Sequence, residues 1–363
     1  MSNSARPTLI VACLATAMLM LDIAVVNTAI PHIGADLHAG TDALKWIVDA
    51  YTLALAVTVL TVGSIADRVG RRSVFAGGLV VFTVASLACA MSPSIEALQI
   101  ARVVQGLGAS ALFASSLALI ADAFPGQRER AGAMAAYGAT IGGAFAIGPL
   151  VGGLLTSVLG WEWIFLINLP IGIGALVVTL RSVNESREAA ARRIDLPGQI
   201  ALMLGLFLLV YGLQNADGNG WGSAETIAEL GAGVAFLVAF VAIEARVRVP
   251  MLPLGLFRTP AFTGAQIGAF AISASFFAAY LYATLYLQGV LGLSAIEAGL
   301  VYLPGTVVMF VVSGASAQLG TRVPAWAMTG GGLILVGIGL LLMLDVTAGS
   351  SWTAMEPGLL DVA

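Results

Sequence analysis

Residues 63–72 read Gly-Ser-Ile-Ala-Asp-Arg-Val-Gly-Arg-Arg, with three arginines, one aspartate and two glycines set between two long apolar segments, Lys45 to Val62 and Ser73 to Ala90. Two helices that cross a bilayer need only a polar turn to join them. So much charge in so short a connection asks for a further explanation, and the segments on either side set its terms.

Hydrophobic residues make up 59% of the 363 and charged residues 10%, against roughly 45–50% and 25% in soluble globular chains. With a mean hydropathy of +0.97, the chain belongs in lipid. It divides into eleven apolar segments: 8–30, 45–62, 73–91, 95–121, 131–157, 161–181, 196–214, 226–245, 262–289, 296–318 and 325–345. Each approximates the ~20 helical residues that a ~30 Å hydrocarbon core requires. None alternates as a barrel strand does, so the expected fold is all-α, a polytopic membrane helical bundle with about eleven spans. The first segment is too long for a signal peptide and carries Asp22 and Asn27. Cys13 and Cys89 lie inside apolar runs, where they read as packing residues rather than as a disulfide or metal pair.

The arginines orient the chain. Arg68, Arg71 and Arg72 fall in the second connection, Arg128 and Arg130 in the fourth, and Arg181, Arg187, Arg192 and Arg193 in the sixth. Arg246, Arg248 and Arg258 follow in the eighth and Arg322 in the tenth, while Arg6 precedes the first segment. The odd-numbered connections hold only Lys45. The positive-inside rule therefore puts the N-terminus and every arginine connection in the cytoplasm, and an odd number of spans leaves the C-terminus outside. The tail from Ser350 to Ala363 looks like the start of a twelfth segment, so the chain is expected to be C-terminally truncated; the alternative is a short external tail.

Three charged residues lie where lipid tolerates few. Asp22 sits about eight residues from the outer end of its segment and Arg102 about seven from the outer end of the fourth, a shared depth of roughly 10–12 Å at ~1.5 Å per residue. The two can meet. A charge at such depth costs at least ~2.5–3.5 kcal/mol, so it faces a polar cavity or another charge and marks an ion or substrate path. Asp49 is shallower and can reach the headgroups. Desolvation favours the neutral form of a carboxyl and a nearby guanidinium favours the charged form, so exposure to either side in turn makes a proton carrier. If a cationic substrate needs the carboxylate charged, proton and substrate compete for one site and move in opposite directions.

The fifth segment crowds Gly138, Gly142, Gly143, Gly148, Gly152 and Gly153 around Pro149. Small residues at i, i+4 let a neighbouring helix approach closely, and the proline adds a kink. Ordinary small-residue packing accounts for the glycines but not for the proline among them.

These residues resemble a known family. Gly63, Asp67, Arg68, Gly70, Arg71 and Arg72 look like motif A of the major facilitator superfamily, which in that family latches the outward-open state from the cytoplasmic side. Leu21, Asp22, Val25, Val26, Asn27, Ala29 and Pro31 resemble the first-helix motif of its drug/proton antiporters with fourteen helices. Arg102, Gln105, Gly106 and Gly108 resemble motif B, whose arginine is tied to proton coupling, and Gly148, Pro149, Gly152 and Gly153 resemble the antiporter motif C. Trp163, Phe165, Asn168, Pro170 and Gly172 are similar to the sixth-helix pattern of EmrB/QacA-like transporters. So are Pro250, Met251, Leu252 and Phe257, and then Tyr286, Leu287, Gln288, Gly292, Ala298, Gly299 and Pro304. Glu162 and Ala144 depart from the family pattern, and 313–322 echoes motif A with Gly314, Gly320 and Arg322 but without its aspartate. The resemblance implies four parts: an N-terminal six-helix half at 1–181, a cytoplasmic connector at 182–195, two inserted helices at 196–246 and an incomplete C-terminal half of three helices at 247–363.

The function so implied is secondary active transport, the proton-coupled efflux of hydrophobic or cationic drugs across the cytoplasmic membrane. Asp22 is expected to carry the proton with Arg102 tuning it and Asp49 attracting cations, while Asn27, Gln105, Tyr280 and Tyr286 are candidates to line the substrate cavity. The alternatives are an exporter of a specific metabolite and a non-transporting fragment. No His-Glu-x-x-His, paired acids in a short loop or metal-ligand spacing occurs, so neither enzyme chemistry nor a metal site is expected. No cofactor is expected beyond the proton gradient. The partners implied are a small-molecule substrate, protons and the lipid bilayer, not nucleic acid; a membrane-fusion partner is left open. The expected location is the inner cytoplasmic membrane, multi-pass.

Overall fold

The computed structural model describes residues 4–187, 195–247, 250–305, 307–309, 311–312, 323–347 and 349–362. Backbone N–H and C=O groups find no water in hydrocarbon, so each apolar run closes its own hydrogen bonds as a helix, and the described residues contain no strand. In order these are α1 (Ala5–Asp36), α2 (Thr41–Val69), α3 (Arg71–Ala90), α4 (Ile95–Ala123) and α5 (Gln127–Val158). Then come α6 (Trp163–Leu166), α7 (Asn168–Ser182), α8 (Leu196–Asn219), α9 (Ala224–Glu244), α10 (Pro260–Leu285) and α11 (Ala295–Val301).

Among the described residues, eight helices, with α6 and α7 counted as one, are long and apolar enough to cross a bilayer; α5, bent by 40° between Phe145 and Ile147, makes a ninth. They coincide with the first nine apolar segments of the sequence. The tenth begins with α11, and residues 313–322, with the motif echo at Gly314, Gly320 and Arg322, lie outside the described residues. The eleventh is a helix of 18 residues, Ala325–Leu342, against which a short helix, Glu356–Val362, folds back.

Local chemistry sets several helix ends. The Ser94, Asp195 and Ser223 side chains accept from the backbone N–H three residues on, at the starts of α4, α8 and α9. Ser294 and Glu297 form a reciprocal capping box on α11. The charged stretch 63–72, expected as a connection, is instead helical almost throughout. It runs as α2 to Val69 and as α3 from Arg71, and Gly70 alone makes the joint at φ 129°, a backbone angle that L side chains rarely adopt.

The bundle has an apolar outside and a partly polar inside. Ile10, Val84, Met91 and Ile100 are exposed on the lipid side, while Asp22, Ser86, Arg102, Gln105 and Asn168 are buried between helices. Since lipid chains are as apolar as leucine, close packing rather than the hydrophobic effect holds such helices together. Gly106 lies against the Tyr51 carbonyl and Ala54 of α2, and Gly108 lies against the backbone of Phe82 in α3. A Cβ at Gly108 would stand 2.6 Å from the Phe82 nitrogen, whereas one at Gly77 would meet nothing within 4 Å.

Gly108→Ala is therefore expected to destabilise the protein by roughly 1–3 kcal/mol, the usual cost of overpacking, and Gly77→Ala to leave it unchanged or slightly firmer. Thermal unfolding of the two purified variants in one detergent checks this; equal melting temperatures would refute the close α3–α4 approach.

Candidate functional site

At the centre of the first seven helices, Asp22 of α1 is 2% exposed and Arg102 of α4 is 1% exposed, and they form an ion pair through Arg102 Nη1 and Asp22 Oδ2. Removing two charges from water costs several kcal/mol each, so a buried pair persists only where further hydrogen bonds satisfy what remains of both groups. Here they do. Gln105, one turn after Arg102 on the same helix face, donates from Nε2 to Asp22 Oδ1 at 2.8 Å and accepts from Arg102 Nη1 at 2.7 Å. Asn168 at the start of α7 donates to Asp22 Oδ1 at 3.2 Å. Arg102 Nε donates to the Ile47 carbonyl at 3.0 Å, and its guanidinium lies 4.2 Å above the Tyr51 ring.

A second layer holds the two amides. Ser86 Oγ of α3 accepts from Gln105 at 2.9 Å and from Asn168 at 3.3 Å, and donates to the Phe82 carbonyl at 2.8 Å. The Cys89 thiol contacts Gln105 Oε1 at 3.6 Å. Five helices, α1, α2, α3, α4 and α7, thus meet on one carboxylate and one guanidinium.

The meeting of Asp22 and Arg102 follows their equal depths in the sequence. Gln105, expected along a substrate cavity, is wholly buried with both ends of its amide engaged. Asn27 is half-buried and donates to the Ile23 carbonyl of its own helix at 3.2 Å. Asp49 does not join the cluster; its carboxylate accepts from Gln214 of α8. Tyr280 stands between Phe145 of α5 and Tyr302, with ring centroids 4.9 and 4.8 Å away. Tyr286 begins a π-turn, Tyr286–Val290, and donates to the Thr347 and Ser350 carbonyls at 2.9 and 2.6 Å. Sequence reading missed Ser86 as a ligand of the network and Tyr51 as the face beneath Arg102. Single polar residues in apolar runs are the signal that points to them.

The charged stretch forms a second cluster at the other end of these helices. Arg71 donates to Asp67 Oδ1 from Nε at 3.0 Å and Nη2 at 2.9 Å, and its Nη1 pairs with Asp122 Oδ2 of α4 at 2.8 Å. One arginine so ties the ends of α2, α3 and α4 together. Glu185 beyond α7 caps the start of α3 by accepting from the backbone N–H of Arg72 at 3.0 Å and of Ser73 at 3.1 Å. Arg72 in turn donates to the Thr179 and Leu180 carbonyls of α7. Arg68 is exposed, and Gly63 lies in ordinary contact with Ala114. Neither Glu185 nor Asp122 stood out in the sequence; both are lone acids near helix ends.

Gly148 and Gly152 of α5 face α1. A Cβ at Gly148 would run into Ala24, and one at Gly152 into Val25 and Thr28. Pro149 and Gly153 are buried with them. The bend between Phe145 and Ile147 lies just before Pro149, which has no N–H for the Phe145 carbonyl and crowds that turn. The part of α1 that Gly148 and Gly152 meet begins two residues after Asp22.

Arg102→Met leaves the Asp22 carboxylate buried without its cation and is expected to destabilise the protein by roughly 3–5 kcal/mol. Adding Asp22→Asn removes the orphaned charge and should recover part of that loss. A double-mutant cycle of thermal or denaturant unfolding measures it, and strict additivity would show that the pair does not interact.

Known proteins share both sequence and architecture with this chain. The family model for the Major Facilitator Superfamily matches residues 12–359. The multidrug resistance protein Stp of Mycobacterium tuberculosis is 37% identical over 351 residues, an alignment that takes in 95% of this chain and 64% of that protein. The tetracenomycin C resistance and export protein of Streptomyces glaucescens is 35% identical over 347 residues, covering 95% of this chain and 62% of its own length. The chain therefore spans a little under two thirds of these two relatives. Among solved structures, the human organic anion transporter MFSD10 (TETRAN) superposes with a TM-score of 0.64 at 18% identity, over 98% of this chain and 82% of that one. A bundle of apolar helices closed around buried charge, with an arginine tying three helix ends, is thus seen in a chain that matches one family model over nearly its whole length, and this multi-pass membrane protein belongs to the Major Facilitator Superfamily, a family of transporters and not of enzymes.

Proposed function

We propose that this protein is a secondary transporter that exports hydrophobic or cationic drugs across the cytoplasmic membrane in exchange for protons. The observation that carries the reading is the Asp22–Arg102 pair, an ionisable carboxyl enclosed by the bundle and held by three side chains from two other helices. A proton on Asp22 removes the negative partner of Arg102 and weakens the bonds from Gln105 and Asn168, so protonation changes the forces among α1, α4 and α7. A substrate that favours the charged form then competes with the proton, which is the thermodynamic content of exchange. A membrane potential contributes ~2.3 kcal/mol per net charge moved per 100 mV. Two relatives named for drug resistance or export support the substrate class.

Other residues take supporting roles in this proposal. The N-terminus and the arginine-bearing connections face the cytoplasm, as the distribution of basic residues favours. Arg71, held by Asp67 and Asp122, serves as a latch whose charges set the relative positions of α2, α3 and α4 at that face. Gly148, Pro149, Gly152 and Gly153 let α5 bend and slide against the turn of α1 next to Asp22. Asp49 attracts cations near the outer surface. The proposed division of the chain is into a transporter half at 1–181, a connector at 182–195, an inserted hairpin at 196–246 and part of a second half from 247 onward.

Asp22→Asn is expected to lower proton-driven efflux of a cationic dye from proteoliposomes by at least about tenfold per amount of folded protein reconstituted. Undiminished proton-driven efflux in that variant would sink the assignment. Asp67→Asn is expected to slow the same efflux several-fold while cysteine labelling from the two sides of the membrane reports unchanged orientation. Inverted labelling would show that the aspartate acts on topology and not on transport.

A further inference from the structure

Among the described residues, two carboxyl oxygens are buried without a hydrogen-bond donor: Oδ2 of Asp195 and Oε1 of Glu244. Asp195 caps the start of α8 and Glu244 is the last residue of α9. The α8–α9 hairpin runs out and back, so it returns both to one end, and they are 7% and 2% exposed. The other oxygen of each is already taken. Asp195 Oδ1 accepts from the Gly198 N–H at 3.1 Å, and Glu244 Oε2 accepts from the Leu252 N–H at 2.8 Å.

The two remaining oxygens belong to side chains within hydrogen-bonding reach of each other. Gly198 leaves them room: a Cβ there would stand 2.5 Å from Asp195 Oδ2 and 3.1 Å from Glu244 Oε1. Two ionised carboxylates have only acceptors to offer, and their like charges repel strongly away from water. A single hydrogen between them resolves both problems.

We propose that Asp195 and Glu244 form a proton-binding site, in which one proton is held on Glu244 Oε1 and donated to Asp195 Oδ2. The helix ends decide which partner carries it. A carboxylate is favoured at the N-terminus of α8 and disfavoured at the C-terminus of α9, so Asp195 remains the anion and Glu244 the acid. Among the described residues, Asp195 is the one charged group acting on Glu244. Arg246, on the turn after α9, and Arg68, on the end of α2, are exposed. From α2, neutral Thr61 meets α8 at Gln199, which also donates to the Val57 carbonyl at 2.6 Å. Arg192, Arg193 and Arg248 lie outside the described residues.

The shared proton makes a clasp. It joins the point where the chain enters the hairpin to the point where it leaves, and the second oxygen of Glu244 fixes Leu252 on the segment that leads to α10. A proton bound in the folded protein and absent from the unfolded chain stabilises at low pH, and that stabilisation is lost as pH rises through the site's titration. The site depends on the packing of α8 against α9 and not on the proposal of proton-coupled export.

Infrared spectroscopy of the reconstituted protein at neutral pH provides the test, since a protonated carboxyl has a C=O band that a carboxylate lacks. Glu244→Gln and Asp195→Asn should each remove the same band, the second because the Asn amide supplies the hydrogen and leaves Glu244 ionised, while Asp22→Asn should leave that band in place. In parallel, the melting temperature of the unaltered protein should fall as pH rises above the ordinary carboxyl range of about 4–4.5, and that of Asp195→Asn should stay nearly level. A wild-type spectrum with no band sensitive to either substitution overturns the proposal. So does a rise in melting temperature with sodium or calcium that both variants abolish, which would put a metal cation between the oxygens instead.

Discussion

A carboxylate and a guanidinium placed together in hydrocarbon constrain everything around them. Each alone costs at least ~2.5–3.5 kcal/mol at that depth, and their mutual attraction offsets this only if their remaining donors and acceptors are also satisfied. Asp22 and Arg102 meet that condition through Gln105, Asn168 and the Ile47 carbonyl, with Tyr51 beneath the guanidinium. Moving any one of α1, α2, α4 or α7 by a hydrogen-bond length would leave a buried polar group unpaired. The network accordingly specifies the packing of α1, α2, α3, α4 and α7 more tightly than apolar contact in lipid does.

The helices reach this arrangement because small residues let them come close enough. Gly106 and Gly108 bring α4 against α2 and α3, which places Arg102 and Gln105 within reach of Ile47 and Ser86. On the other flank, Gly148 and Gly152 seat α5 on α1 at Ala24, Val25 and Thr28, next to Asp22. The same bent helix carries Phe145 against Tyr280 and Leu150 against Gly299 of the later part of the chain. Helix α5 therefore touches both the element that bears the buried aspartate and the elements that follow α9.

The charged stretch at 63–72 separates two levels of information. The sidedness of Arg68, Arg71 and Arg72 is shared with eleven other basic residues of the sequence and is a matter of topology. Asp67 is not explained by sidedness, and its partner is visible only in three dimensions. Arg71 reaches from Asp67 to Asp122 on a helix that begins more than twenty residues later in the chain, and Glu185 arrives from beyond α7 to cap α3. A polar connection is a natural reading of ten residues that hold four charges, but tertiary packing keeps the helices going on both sides of Gly70.

By itself, the sequence determined the solvent, the helical class, the number and placement of most spans and the shared depth of Asp22 and Arg102. These follow from local hydropathy and from distances along a helix, which are sums over neighbours in the chain. The tertiary structure alone decided that Gln105 is enclosed, that Asp49 turns to Gln214 of α8, that Tyr286 bonds to carbonyls near residue 350, and that Asp195 and Glu244 face each other. Each of those depends on which face of one helix meets which face of another. No one-dimensional pattern sets that, because in lipid almost every face is apolar and the choice among them falls to close packing and to the few polar groups that must find partners.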